Sequence, residues 1–98
     1  MKTYQIGRFP EADIVLFSSL CSRNHAKITI TEIGKIILED HSSNGTIVNS
    51  KKTINQSLEI KFGDEVVFGG AEKLDWSKIQ NQHYQKSPSL NSTFTTNI

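Results

Sequence analysis

A strict alternation of apolar and polar side chains runs through residues 26–31, where Ala26, Ile28 and Ile30 share one face. A period of two marks a half-buried β-strand, because successive side chains of a strand point to opposite faces. Residues 35–39 continue the alternation after a short segment that contains Gly34. Residues 25–40 are therefore predicted to form a β-hairpin with a tight turn in its middle.

Other short runs have the composition of strands, and turn residues such as Pro10, Asn44-Gly45 and Gly69-Gly70 separate them. No convincing helical pattern longer than two turns appears before residue 75. Many short strands at regular spacing favour an antiparallel β-sandwich or barrel. The further predicted strands are residues 3–6, 13–17, 46–49, 58–60, 65–68 and 72–76, the last of which places Trp76 against the core.

The length and the composition fit one domain followed by a polar tail. The chain has 98 residues, of which 36% are hydrophobic, enough for one modest core. From about residue 80 the chain is polar, and residues 83–98 are rich in Ser, Thr and Asn. Such a segment buries too little apolar surface to offset its ordering entropy. We predict a folded domain at residues 1–79 and a flexible tail or linker at residues 80–98.

The charge balance and the single cysteine restrict the partners and the compartment. The chain has 11 Lys and Arg and 10 Asp and Glu. It therefore lacks the excess of basic residues that is usual in proteins that bind the nucleic acid backbone. Cys21 has no partner for an internal disulfide, and no apolar run resembles a signal peptide or membrane span. The sequence thus predicts a cytoplasmic domain that binds neither nucleic acid nor membrane.

Polar, glycine-containing segments alternate with the predicted strands. On a sandwich, loops at one end come together in space, so residues distant in sequence form one site. The segments are Gly7-Arg8, Ser22-Arg23-Asn24-His25, Ser42-Ser43-Asn44-Gly45-Thr46 with Asn49, and Gly63-Asp64 followed by Phe68-Gly69.

The side chains of these segments suit a bound phosphate. A phosphorylated residue carries about −1.5 to −2 charges and three strong acceptor oxygens at neutral pH. A guanidinium such as that of Arg8 donates two parallel hydrogen bonds to such a group. The hydroxyls of Ser22 and Ser43, with help from Arg23, supply further donors, and no metal ion or other cofactor is required.

The order of the motifs resembles the forkhead-associated (FHA) domain family. Gly-Arg, Ser-Arg-x-His, Ser-x-Asn-Gly-Thr-x-x-Asn, and Gly-Asp before Phe-Gly follow one another between Ile6 and Gly69. The resemblance implies a β-sandwich of about 11 short strands with recognition loops at one end. It also implies a module that binds phosphothreonine on partner proteins and catalyses no reaction.

The resemblance assigns roles residue by residue. Arg8 is expected to grip the phosphate, Ser22 to hydrogen-bond one of its oxygens, and Arg23 and Ser43 to add contacts. Asn44 is expected to bond the backbone of the bound peptide. Structural support of the loops falls to Gly7, His25, Gly45, Thr46 and Asn49.

Two features depart from the family pattern. Asp40 precedes Ser42 by two residues, which predicts a slightly shortened loop. Ser50 follows Asn49 where glycine is frequent, so a positive φ there is less easily met.

Other interpretations of the same residues stay open. Asn44-Gly45 alone suits a type I′ hairpin turn. A phosphate-independent interaction scaffold on the same fold is the alternative function, and a nucleophile–base pair of Cys21 and His25 is a third. The threonines of the predicted tail suggest self-association of the chain after their phosphorylation. The histidines are widely spaced in the sequence, so no metal site is predicted. The threonines are Thr93, Thr95 and Thr96, and the histidines are His25, His41 and His83.

Overall fold

The computed structural model describes residues 1–79, which form two β-sheets packed face to face. The predicted all-β sandwich is confirmed, with nine strands in the described part where the resemblance implied about 11. The strands are β1 (Lys2–Gly7), β2 (Ile14–Val15), β3 (Ala26–Ile30), β4 (Ile36–Asp40), β5 (Thr46–Val48), β6 (Lys51–Thr53), β7 (Ser57–Ile60), β8 (Val66–Phe68) and β9 (Glu72–Lys73).

The two sheets differ in size. The larger has the strand order β2-β1-β3-β4-β7 and the smaller the order β6-β5-β8-β9. Every pair is antiparallel except β1 and β2, which run parallel. The chain crosses between the sheets after β4, after β6 and after β7, so these connections lie at the ends of the sandwich.

The predicted hairpin of residues 25–40 is confirmed as β3 and β4. Its register runs from Ala26 opposite Asp40 to Ile30 opposite Ile36, and buried residues alternate with half-buried ones along both strands. Gly34 closes the turn with a φ of +88° and donates its N–H to the Thr31 carbonyl. A side chain would be strained in that conformation, which explains the glycine.

The core lies between the two sheets. Its inward residues are the apolar half of each alternating strand, as the pattern predicted. Full burial of one such aliphatic or aromatic side chain contributes about 1.5–3 kcal/mol. The most deeply buried apolar side chains are Ile6, Ile28 and Leu38 from the larger sheet and Val66 and Phe68 from the smaller.

Two predicted strands are wrong in extent, and one strand was not predicted. Of residues 72–76 only Glu72 and Lys73 pair, and Trp76 begins a 3-10 helix at Trp76–Lys78. Trp76 still packs against the core beside Phe62, with ring centroids 4.9 Å apart. Residues 13–17 contribute a strand of two residues. The unpredicted strand β6 is two lysines and a threonine, which show no apolar alternation.

The strand directions place five connections at one end of the sandwich. We call this the loop end; it holds residues 8–13, 16–25, 41–45, 54–56 and 69–71. The turns at residues 31–35, 49–50 and 61–65 lie at the opposite end. Within the described range, no helix has the length or apolar character needed to span a bilayer. The predicted tail at residues 80–98 lies outside this range.

Candidate functional site

Arg8 leaves the end of β1 and is held by the neighbouring loop of residues 16–25. Its backbone N–H donates to the Ser22 carbonyl at 3.2 Å, and its Nε–H donates to the Cys21 carbonyl at 2.6 Å. The Nε–H bond therefore fixes the guanidinium, while the Arg8 side chain stays exposed to solvent. Its terminal Nη groups have no partner among residues 1–79 and are open to an external anion.

The hydroxyl of Ser22 joins two loops. Its Oγ accepts the backbone N–H of Ser43 at 3.0 Å, which links residues 16–25 to residues 41–45. Because the oxygen acts as acceptor within the protein, its own hydrogen is available to donate outward. Arg23 and Ser43 are exposed at the same end. All four residues predicted to bind phosphate thus lie at the loop end.

Asn44 is also fixed against the loop of residues 16–25. Its Nδ2 donates to the Leu20 carbonyl at 2.8 Å. This bond orients the amide and leaves its Oδ1 without a partner in the described part of the chain. The oxygen can accept a backbone N–H from a bound peptide.

His25 is a buried brace between the two loops. Its Nδ1 accepts the Ser22 N–H at 2.9 Å, so the ring proton lies on Nε2, which donates to the Gly45 carbonyl at 2.9 Å. The ring also packs edge-on against Phe68, with centroids 5.6 Å apart. Both nitrogens are used within the protein, and none is left to act as a base.

Cys21 does not form the nucleophile–base pair that its spacing from His25 suggested. The thiol is buried and donates to the Phe68 carbonyl, with Sγ and oxygen 3.3 Å apart. Burial raises the pKa of the Cys21 thiol, and the Glu72 charge adds to this rise while Arg8 opposes it. A neutral, buried thiol is a poor nucleophile.

Glycine is required at two points of the site. A Cβ on Gly7 would lie 1.9 Å from the Arg23 carbonyl oxygen, so no other residue fits where β1 passes under this loop. Gly45 has a φ of +87°, and its carbonyl accepts hydrogen bonds from the His25 Nε2–H and from the Gly69 N–H. The Asn44-Gly45 pair is not a hairpin turn, because it joins β4 of one sheet to β5 of the other.

Asp40 is a buried anchor that sequence reasoning missed. Its carboxylate is 1% exposed and accepts hydrogen bonds from the Ser42 N–H and Oγ, the Thr46 Oγ1 and the Asn55 N–H. Burial alone would raise the pKa of Asp40, but these hydrogen bonds outweigh it and hold the pKa below the ordinary value. The only sequence signal was the close spacing of Asp40 and Ser42.

Thr46 and Asn49 support different ends of the molecule. The buried Thr46 donates to Asp40 beside the loop of residues 41–45. Asn49 lies at the opposite end, where it exchanges hydrogen bonds with the backbone of Glu65. β5 places these contacts away from the loop end, and the expected support of the loops by Asn49 stays a prediction.

The described part of the chain holds no group of three or more His, Cys, Asp or Glu side chains that could bind a metal ion. The third histidine of the sequence, His83, lies beyond this part.

Comparisons with known proteins match the same region. The model of the FHA domain family matches residues 4–69. The E3 ubiquitin-protein ligase CHFR of Xenopus laevis is 40% identical over 68 residues, which cover 66% of this chain and 11% of the ligase. The chain spans about a tenth of the length of these ligase relatives.

Solved structures share the fold. The N-terminal FHA domain of Saccharomyces cerevisiae Rad53p, in complex with a phosphothreonine peptide, has a TM-score of 0.61 and 36% identity. That likeness covers 66% of this chain and 54% of the other. The FHA domain of a Chlamydia trachomatis protein has a TM-score of 0.64 and 38% identity, covering 69% of this chain and 68% of that one.

Proposed function

The chain belongs to the FHA domain family, and on that premise we propose that it binds threonine-phosphorylated proteins or peptides through the loop end. FHA domains are in general non-enzymatic binding modules, and a similar domain has been solved with a phosphothreonine peptide. The ligase activity in the names of its relatives belongs to proteins of which this chain matches a small part.

The observation that carries the proposal is the arrangement of Arg8 and Ser22. The Cys21 carbonyl holds the exposed Arg8 guanidinium by its Nε–H, and the terminal Nη groups have no partner among residues 1–79. The Ser22 hydroxyl belongs to the same loop and has a hydrogen left to donate. A phosphate dianion has three oxygens that accept such donors, and a pre-oriented guanidinium loses little freedom when it binds.

The remaining predicted residues complete the proposed contact. Arg23 and Ser43 add a second cation and a second hydroxyl from the two loops that Ser22 joins. The Asn44 Oδ1 accepts a backbone N–H of the peptide, so the peptide is held next to its phosphorylated residue. Family resemblance further implies that the threonine methyl group is preferred over serine.

The direct test is a calorimetric titration with a phosphothreonine peptide from a library selection and with its unphosphorylated form. We expect binding only to the phosphorylated form, and a loss of about 2–5 kcal/mol for Arg8→Ala, the range for breaking an interfacial charge pair. That loss corresponds to a Kd at least roughly 30-fold weaker.

Lys35→Ala is the matched control, because it removes an exposed cation from the opposite end. Equal Kd values for Arg8→Ala and the wild type would remove Arg8 from the site. Equal affinity for both peptide forms would instead favour the phosphate-independent scaffold.

The cellular location, the domain division and self-association are further parts of the same proposal. The absence of a second cysteine supports a cytoplasmic location. The predicted division into a domain at residues 1–79 and a tail at 80–98 stays a prediction, as does self-association through a phosphorylated tail threonine. The tail threonines Thr93, Thr95 and Thr96 lie outside the described residues.

A further inference from the structure

One carboxylate of the smaller sheet holds the loop of residues 16–25 in place. Glu72 begins β9, and its Oε2 accepts two consecutive backbone N–H groups, from Phe17 at 2.6 Å and from Ser18. These bonds join the two sheets across the loop end over more than fifty residues of sequence. Glu72 lies outside residues 4–69, the part that matches the family model.

The anchored segment continues directly into the acceptors that orient the site. Ser18 closes a turn in which its Oγ accepts the Leu20 N–H and its carbonyl accepts the Cys21 N–H. The carbonyls of Leu20 and Cys21 then fix Asn44 and Arg8. An unbroken series of hydrogen bonds therefore runs from the Glu72 carboxylate to the Arg8 guanidinium.

The negative charge of Glu72 indicates that this residue positions the loop and does not contact the phosphate itself. A carboxylate repels a phosphate dianion, so its negative charge at the loop end opposes binding. Its useful property is one acceptor oxygen, which holds two backbone N–H groups at once. An uncharged oxygen that accepts the same two N–H groups should therefore orient the loop equally well.

We propose that Glu72 is a positioning residue of the phosphopeptide site: it fixes the loop of residues 16–25 so that Arg8 and Asn44 are oriented before ligand arrives. The inference rests on the proposed function, since it concerns the same site. Preorganisation of this kind raises affinity by lowering the ordering cost of binding.

The test compares Glu72→Ala, Glu72→Gln and the control Glu65→Ala in the full chain. The control removes an exposed glutamate that directly precedes β8 and pairs with Lys73 of β9. We expect Glu72→Ala to weaken phosphopeptide binding roughly tenfold or more, because two backbone N–H groups lose their acceptor. Glu72→Gln should bind as tightly as the wild type or more tightly, because the amide oxygen accepts both bonds and the repulsion is gone.

A measurement without peptide separates positioning from general stability. Hydrogen exchange of the Arg8 Nε–H should be slow in the wild type and in Glu72→Gln, and fast in Glu72→Ala. The amides of Ile28 and Leu38, in inner strands of the larger sheet, report on the core and should stay protected in all variants.

Unchanged affinity in Glu72→Ala, or an equal loss in both Glu72 variants, would overturn the inference. If the wild type shows no phosphate-dependent binding, the proposed function fails, and exchange of the Arg8 Nε–H then decides the inference alone. Protection of that proton in Glu72→Ala would overturn it, and loss of protection would support it.

Discussion

At the residue scale, the side chains of the proposed site are oriented mostly by backbone atoms. Arg8 and Asn44 each donate to a carbonyl of residues 20–21, and His25 uses Gly45 in the same way. The sequence motifs predicted that Arg8, Ser22 and Asn44 gather here, but Asn49 and Gly63-Asp64 of the same motifs lie at the opposite end. The motifs could not predict these bonds, because every residue carries a carbonyl and only the folded backbone decides where it points.

Asp40 is the residue whose removal should change the pH dependence of stability. Its pKa is lowered in the folded protein from an ordinary value of 3.8, so the carboxylate stabilises the fold above that pH. This contribution is lost as the pH falls from 3.8 through the lower folded pKa. Asp40→Asn should cost about 1–3 kcal/mol at pH 7, because the new amide cannot satisfy all the buried donors.

Urea unfolding of wild type and Asp40→Asn across a pH series measures this effect. The difference between their free energies of unfolding should be constant above about pH 5 and should shrink below the ordinary Asp pKa. A difference that stays constant into the acid range would contradict the assignment of the lowered pKa to Asp40.

At the element scale, the sequence predicted the strands in which apolar and polar side chains alternate and missed one strand without this alternation. The hairpin of β3 and β4 was predicted because its apolar residues repeat every second position around a glycine turn. Strand β6 is Lys51-Lys52-Thr53 and pairs with β5 through its backbone. Its turn residues, Asn49 and Ser50, contain no glycine, so the usual hairpin signal was absent.

The β5–β6 turn should be improved by one substitution. Asn49 and Ser50 have φ values of 49° and 73°, and a left-handed conformation is costly for serine. Ser50→Gly should raise the free energy of unfolding by about 1 kcal/mol, since relief of backbone strain exceeds the added entropy of the unfolded chain. Chemical denaturation measures the change.

Asn49→Gly is the control at the neighbouring position. Asparagine tolerates positive φ, and its Oδ1 accepts the Glu65 N–H, so this change should not stabilise the fold. An unchanged or lowered free energy of unfolding in Ser50→Gly would contradict the strain argument.

At the scale of the whole molecule, function depends on strand direction. β1, β4 and β8 all end at the loop end, and β3 and β5 begin there. Segments more than thirty residues apart, such as Arg8 and Ser43, therefore meet through the Ser22 loop. The order of motifs and the alternation of strands predicted this convergence, whereas the Glu72 link between sheets had no sequence signal because it joins a side chain to backbone N–H groups.

An NMR titration with a phosphothreonine peptide tests the central claim most directly. We predict large shifts of the amides of Arg8, Ser22, Ser43 and Asn44, and none at Ile33, Asn49 and Phe62 at the opposite end. The unphosphorylated peptide should shift neither group. Shifts centred on the opposite end or on a sheet face, or equal shifts with both peptides, would contradict the account.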